Sequence, residues 1–107
     1  MHVERIKFER TGGFAGMRIA RDLTLDELPE EQANRILDLL DDMDFEELPE
    51  QLMSGDESSM PDQFTYVITV ETSRGQHTVV TGDVSAPEKM QELLQLLNRL
   101  ARTRKKQ

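Results

Sequence analysis

Polar and apolar residues alternate along four short segments of the chain, and this two-residue period is typical of β-strands. The first two segments are residues 3–10 and 17–24, and a glycine-rich stretch joins them. The other two are residues 64–70, which are rich in β-branched and aromatic residues, and residues 76–81. The first pair of strands places these apolar residues on one face: Ile6, Phe8, Met17, Ile19 and Leu23. We therefore predict two β-hairpins.

Two further segments carry apolar residues at helical spacing. Asp26 and Pro29 indicate the start of a helix that ends near residue 42, and a Ser85-x-x-Glu88 capping box precedes a helix that ends near residue 102. The predicted apolar stripes are Ala33, Ile36, Leu37, Leu40 and Met43 in the first helix, and Met90, Leu93, Leu94, Leu97 and Leu100 in the second. Residues 44–49 are typical of a short helical turn closed by proline.

These elements predict an α+β protein with one domain. A four-stranded, mainly antiparallel sheet would pack one apolar face against two main helices and the short helical turn. With 107 residues, of which 36% are hydrophobic, the chain supports one small core. We assign residues 1–102 to this domain and residues 103–107 to a basic, flexible tail. The segment of residues 54–62 contains glycine, serine and proline, which predicts a loop.

Charge and cysteine content exclude several classes of protein. The chain has a net charge of −8, no cysteine and no apolar run long enough for a membrane span. Its first residues enter a strand pattern without a secretory signal, so we expect a cytoplasmic protein without disulfides. Residues 26–62 hold fourteen acidic side chains and one arginine, which disfavours nucleic acid as a partner. The cations near the end of the chain are expected to complement the last helix rather than bind phosphates.

The most unusual stretch is the predicted connection of the first hairpin, Thr11–Gly16. Its three glycines permit a tight turn and a close approach of backbone to another surface. Phe14 is large and apolar, whereas the tips of hairpins usually carry polar residues. The ring either folds back onto the protein's own core or serves as an anchor for a partner.

The sequence offers little catalytic or metal-binding chemistry. His2 and His77 are the only histidines, and without cysteine they do not make a structural zinc site. His77 is expected to be a cross-strand residue at the surface. The acidic run of residues 41–46 resembles a calcium loop, but the glycine and glutamate expected at its sixth and twelfth positions are absent. We find no nucleophile with a matching base, so we expect neither an enzyme nor a bound cofactor.

Five short motifs, in order and spacing, resemble the emfourin family, which are bacterial inhibitors of thermolysin-like metalloproteases, particularly those of the protealysin group. The motifs are Thr11–Gly16, residues 45–49, 61–66, 77–79 and 86–87. The resemblance covers essentially the whole chain, with the stretch of residues 12–16 as its most specific part and residues 54–61 as its weakest. It implies a reversible protein inhibitor whose partner is a thermolysin-like protease.

The resemblance also implies an inhibitory surface. Thermolysin-like enzymes hold one zinc ion with an open coordination position, next to a pocket for bulky apolar side chains. Phe14 would occupy that pocket. The glycine-rich loop that presents it consists of Gly12, Gly13, Phe14, Ala15 and Gly16. A different partner for Phe14, in a non-enzymatic interaction or structural domain, is the alternative.

A carboxylate is expected to reach the open zinc position of the target. The candidates are Asp83 and Asp62, followed by Asp56 and Glu57. If residues 64–70 begin at the same end of the sheet as the tip of the first hairpin, Asp62 and Asp83 would lie near Phe14. Asp62 and Asp83 are each equally consistent with a local role, in which the side chain hydrogen-bonds its own backbone in a turn.

Overall fold

The computed structural model describes residues 3–12, 17–52, 64–82 and 86–103. Four strands and two helices follow one another in the order β1 (Val3–Gly12), β2 (Met17–Thr24), α1 (Glu30–Asp42), β3 (Phe64–Thr72), β4 (Gly75–Gly82) and α2 (Glu88–Thr103). Two short 3₁₀ turns, Leu25–Glu27 and Phe45–Glu47, flank α1. The chain is therefore an α+β protein with two hairpins, two main helices and a helical turn, as predicted.

The four strands form one sheet in the order β2-β1-β3-β4, and all three pairs are antiparallel. The central pair, β1 with β3, joins the two hairpins: Ile6 lies opposite Val70 and Phe8 opposite Ile68. Strands extend one or two residues beyond the predicted limits, since β1 reaches Gly12 and β3 reaches Thr72. Pairing with a neighbour continues a strand after its apolar alternation has ended.

One face of the sheet and the inner sides of both helices form the core. The sheet contributes Ile6, Phe8, Leu23, Ile68, Val70 and Val79, each at most 1% exposed. Val3 is also buried, although it is out of phase with Ile6, because the register of β1 against β3 shifts between Val3 and Arg5. This irregularity returns the side chain of Val3 to the core face.

The helices bury wider stripes than the sequence predicted. Leu39 and Leu96 belong to the core, at 1% and 9% exposure, and neither was among the predicted core positions. Leu37, which was predicted to be apolar core, is only partly buried. The helices also lie side by side, with ion pairs between Arg35 and Glu92 and between Lys89 and Asp42. Each helix therefore buries residues against its neighbour as well as against the sheet.

Two predictions at helix starts have different outcomes. Pro29 is the residue that precedes α1, with φ −54° and ψ 142°, and Asp26 lies in the separate 3₁₀ turn. The helix therefore begins at Glu30, directly after Pro29, which confirms the predicted start near residue 30, and Asp26 is not part of it. Ser85 of the predicted capping box lies outside the described residues, whereas Glu88 is the first residue of α2.

His77 is not the surface residue that the sequence predicted. It is half-buried, its ring meets the edge of the buried Phe45 ring at 5.6 Å between centroids, and its Nε2 donates to the carbonyl oxygen of Leu48 at 2.8 Å. The segment after Leu48 lies along the outer edge of β4, where Gln51 forms a parallel bridge with Val80. The 3₁₀ turn thus carries the chain back to the sheet, and the histidine fixes it there.

Within the described residues, no helix has the length and apolar character needed to cross a membrane.

Two matched valine truncations test which face of the sheet carries the core. Val79 is fully buried beneath the helices, and Val67 is partly buried on the other face. Val79→Ala should lower the free energy of unfolding by about 2 kcal/mol, and Val67→Ala by less than about 1 kcal/mol, because both lose β-propensity but only the first loses core packing. Urea denaturation followed by circular dichroism measures both values. Equal losses would contradict the assignment of faces.

Candidate functional site

Three strand connections leave from the same end of the sheet. Gly12, at the end of β1, lies opposite Met17 of β2 and opposite Phe64 of β3. Thr65 lies opposite Gly82, the last residue of β4. Gly12, Met17 and Phe64 therefore lie in one row, and Gly82 lies one residue along the strands from that row. We call the end of the sheet that these four residues mark the loop end. The condition that would place Asp62 and Asp83 near the first hairpin's connection is met.

The connection from α1 to β3 is attached to the loop end at both of its ends, because it leaves the edge of β4 and returns at the start of β3. The backbone N–H of Leu52 donates to the oxygen of Val80 and the N–H of Val80 donates to the oxygen of Glu50, both at 2.8 Å. Because this segment runs parallel to β4, Leu52 is directed towards the loop end. Residues 53–63 thus start beside β4 and finish at Phe64, so both of their attachment points lie at this end.

Most of the predicted site residues lie outside the described residues. Gly12 is described, and its φ of +104° is a conformation that glycine adopts readily and other residues rarely do. The others are Gly13, Phe14, Ala15 and Gly16, the loop acids Asp56, Glu57 and Asp62, and Asp83. Their attachment points are known, since Gly12, Met17, Phe64 and Gly82 flank them in the chain.

Arg10 connects three elements beneath the loop end. It is in phase with Ile6 and Phe8 and so faces the helices. Its Nη1 donates to Oδ1 of Asn98 in α2 at 3.0 Å, and its guanidinium lies 4.7 Å from the centre of the Phe64 ring. A partly buried cation over an aromatic face is a favourable contact. Arg10 therefore links β1, β3 and α2 immediately below the point where residues 53–63 end.

An aromatic row continues this support into the core. The rings of Phe64 and Tyr66 lie 6.3 Å apart, and those of Tyr66 and Phe8 stack at 6.1 Å. Ring separations in this range are favourable for aromatic pairs. Phe64 is only partly buried, whereas Tyr66 and Phe8 are buried. The first residue of β3 is thus packed on a rigid base.

A group of four acidic residues lies at the opposite end of the sheet. Asp41, Asp44, Glu46 and Glu47 line an open groove together with the β3–β4 turn around Arg74. The described residues contain no group of three or more histidine, aspartate or glutamate side chains arranged to hold a metal ion. The acidic groove and the loop end are therefore separate surfaces.

The Emfourin family model matches residues 8–98, from the middle of β1 to the last turns of α2. The chain belongs to the emfourin family. The matched region includes β2, α1, β3 and β4 in full, parts of β1 and α2, and all three connections at the loop end. The resemblance seen in the sequence is thereby confirmed.

Among solved structures, the chain is similar to emfourin (M4in) from Serratia proteamaculans, an M4 family peptidase inhibitor. The identity is 22%, the alignment covers 83% of each chain, and the TM-score is 0.44. The comparison with curated proteins gives no match.

The supporting residues of the loop end were not predicted from the sequence. Arg10 carried a usable signal, because a cation in phase with two core residues of a strand requires a partner on the buried face. Asn98 carried none, since one asparagine in a helix is ordinary. The pairing of Gln51 with Val80 was also missed, because a single parallel bridge has no hydrophobic period.

Removing the guanidinium of Arg10 should loosen the loop end. Arg10→Ala is expected to cost about 1–2 kcal/mol of stability, because it leaves Asn98 without this donor and uncovers the Phe64 ring. Arg5→Ala is the control. The ion pair of Arg5 with the partly exposed Glu71 is long, at 4.0 Å, so this substitution should cost less than about 0.5 kcal/mol. Hydrogen exchange should accelerate at Phe64 in Arg10→Ala alone. Identical exchange in the two variants would contradict the linking role.

Proposed function

We propose that this protein is a reversible inhibitor of thermolysin-like zinc metalloproteases, and that it blocks the active-site cleft with its loop end. The observation that carries the proposal is the family match over residues 8–98. The convergence of three connections at one end of the sheet supports the location, since a cleft is filled by adjacent loops on a rigid scaffold. As a member of an inhibitor family, the chain acts by binding and not as an enzyme.

The apolar part of the inhibitory surface is assigned to the glycine-rich connection of the first hairpin. Gly12 already has positive φ where the connection begins. Glycines allow backbone to approach the wall of a cleft closely, and Phe14 supplies the large apolar side chain that such a pocket accepts. The paired strands on both sides, β1 and β2, limit the entropy lost when the loop is immobilised.

The polar part is a carboxylate directed at the open coordination position of the target's zinc. Aspartate is an ordinary zinc ligand at about 2.0–2.2 Å. Asp83 is the first candidate because it directly follows Gly82, and Asp62 is the second because it comes two residues before Phe64. Both positions adjoin paired strand ends at the loop end. Asp56 and Glu57 are further from a paired residue along the chain.

The acidic groove has no part in the proposed contact. It lies at the β3–β4 turn, at the far end of the strands from Gly12 and Gly82. Its charge still contributes to the field around the molecule, which affects the rate of encounter with a charged partner more than the final affinity. Substitutions there provide controls for those at the loop end.

Phe14→Ala should weaken inhibition far more than folding. Loss of a central aromatic anchor costs more than about 2 kcal/mol of binding, which is roughly a 30-fold weaker complex. The measurement is a titration of peptide hydrolysis by a thermolysin-like protease with the unmodified chain and with the variant. Arg74→Ala, at the opposite end of the sheet, should leave the titration unchanged.

Two outcomes would contradict this role of Phe14. If the ring packs on the protein's own core, Phe14→Ala should cost roughly 3–5 kcal/mol of stability and leave the inhibition of the folded fraction intact. If the unmodified chain does not inhibit at all, the chain is an interaction domain for another partner. Thermal unfolding of each variant separates loss of binding from loss of structure.

Replacing the zinc-directed aspartate by asparagine should weaken inhibition through the metal alone. Asparagine keeps the shape of the side chain and removes the charge that the zinc attracts. Among Asp83→Asn, Asp62→Asn, Asp56→Asn and Glu57→Gln, we expect the first to have the largest effect. The affinity for the zinc-loaded protease should fall about tenfold or more, which corresponds to about 1.4 kcal/mol.

The control is the metal-free protease, provided that it remains folded. Binding to it should be the same for the unmodified chain and for the asparagine variant, because the zinc contact is absent in both complexes. Asp38→Asn, on the exposed side of α1, controls for the change of net charge. Intact inhibition in all four amide variants would show that the protein blocks the cleft without a metal contact.

A further inference from the structure

Strand β2 is an outer edge of the sheet. It pairs with β1 on one side, and no described residue forms a backbone hydrogen bond with its other side. Arg18, Ala20, Arg21 and Asp22 are exposed. The carbonyl oxygen of Ala20 accepts a hydrogen bond from the guanidinium of Arg21 at 2.8 Å, so a donor that approaches from the solvent side reaches it. Such an edge is a template for another strand.

The charges along β2 are complementary to a second copy of the same strand. In an antiparallel pair with a two-fold axis at Ala20, Arg18 of each copy lies opposite Asp22 of the other. Residues 18, 20 and 22 share the face of the sheet that the helices do not cover, so both opposite-charge pairs form on that face. Because the axis lies between the two copies of Ala20, every pair of facing residues has its side chains on the same face of the joined sheet.

Other registers of the same pair lose this match. Moving the axis to Arg21 places the two Arg21 side chains opposite each other and pairs Asp22 with Ala20. Moving it to Ile19 pairs Arg18 with Ala20 and removes the charge pairs. Like charges directly opposite each other are destabilising, and opposite charges are stabilising. The sequence of β2 therefore selects the register centred on Ala20.

On the helix side of the sheet, the same register pairs Ile19 with Arg21 of the other copy. Ile19 is only partly buried in the single chain. The aliphatic part of an arginine side chain covers apolar surface while its charged group remains in water. To reach Ile19 of the other copy, the Arg21 side chain would give up its hydrogen bond to the Ala20 carbonyl oxygen. A backbone N–H of the partner strand would then donate to that oxygen.

From these observations we infer that the protein forms a symmetric dimer through the β2 edge, with Arg18 and Asp22 as reciprocal pairs across the axis. The two sheets join into one sheet of eight strands, and the contact is isologous, so it closes after two copies. Since one strand edge buries little surface, the dimer is a weak and concentration-dependent one. The inference depends only on β2 and is independent of the proposed inhibitory function.

The charges that already surround the edge are compatible with this contact. Arg18 forms an ion pair with Glu9 and still has 67% of its side chain exposed. Asp22 lies opposite Lys7 of β1, and Lys7 contacts Glu71 at 3.2 Å. In the dimer, the charges of the side chains in each row across the strands would alternate in sign: positive Arg18 of one copy, then negative Asp22 and positive Lys7 of the other. The association should weaken as salt is added.

Charge reversal provides the test. Sedimentation equilibrium of the full chain, up to about 1 mM, should show a shift from 12.3 kDa towards twice that mass.

Arg18→Asp places two carboxylates opposite each other in both cross-strand pairs, and Asp22→Arg places two guanidinium groups there, so each variant alone should remain monomeric. An equimolar mixture of the two variants should dimerise again. In the mixed dimer one chain carries carboxylates at both positions and the other carries guanidinium groups at both, so both cross-strand pairs join opposite charges. Arg74→Asp and Asp38→Arg, which make the same charge changes on exposed positions elsewhere, should dimerise like the unmodified chain.

The outcomes distinguish the β2 edge from any other association. A monomer at all concentrations would overturn the inference, as would a dimer that survives both charge reversals. Failure of the mixed variants to pair, with both still folded by circular dichroism, would overturn the register. If either variant is unfolded, Ala20→Pro is a second test, because proline removes the backbone donor at the centre of the contact and is tolerated on edge strands. It should abolish dimerisation, and persistence of the dimer would contradict the inference.

Discussion

The antiparallel pairing of β1 with β3 determines the arrangement of the rest of the molecule. It joins strands about sixty residues apart and makes one sheet from two hairpins. The same pairing places Gly12 opposite Phe64, and therefore brings the first hairpin's connection, the loop before β3 and the end of β4 to one end of the sheet. A shift of one residue would turn Ile6 and Phe8 away from the helices, so the core fixes the register and the register fixes the loop end.

Rigidity beneath the loop end comes from contacts made by a few side chains. Arg10 links β1 to Phe64 and to Asn98 of α2, and the ring of Phe64 packs on Tyr66. On the other side, His77 and the bridge to Val80 hold the segment that enters the long loop. An inhibitor benefits from such a base, because loops that are already positioned lose less entropy when they bind. Under the proposed function, this scaffold would lower the entropy cost of binding through the connections at the loop end.

The sequence predicted the number and type of elements well, because each strand and helix has a clear hydrophobic period. It did not predict the order β2-β1-β3-β4, since periodicity within a strand carries no information about its neighbours. Leu39 and Leu96 were missed because contact between the two helices adds burial that one apolar stripe does not show. His77 was misjudged because its partner, the Leu48 carbonyl, is backbone and leaves no trace in the sequence. The glycine-rich loop and the candidate acids were chosen from residue types and family resemblance, and the structure adds the positions of the strand ends that hold them.

Hydrogen exchange of the chain, free and in complex with a zinc-loaded thermolysin-like protease, tests the account most directly. If the loop end is the inhibitory surface, exchange should slow at Gly12, Phe64 and Gly82 when the protease is bound, and stay unchanged at Ser73 and Arg74 at the opposite end. Slower exchange confined to the β3–β4 turn and its acidic groove, in a complex that is still inhibited, would contradict the placement of the inhibitory surface at the loop end.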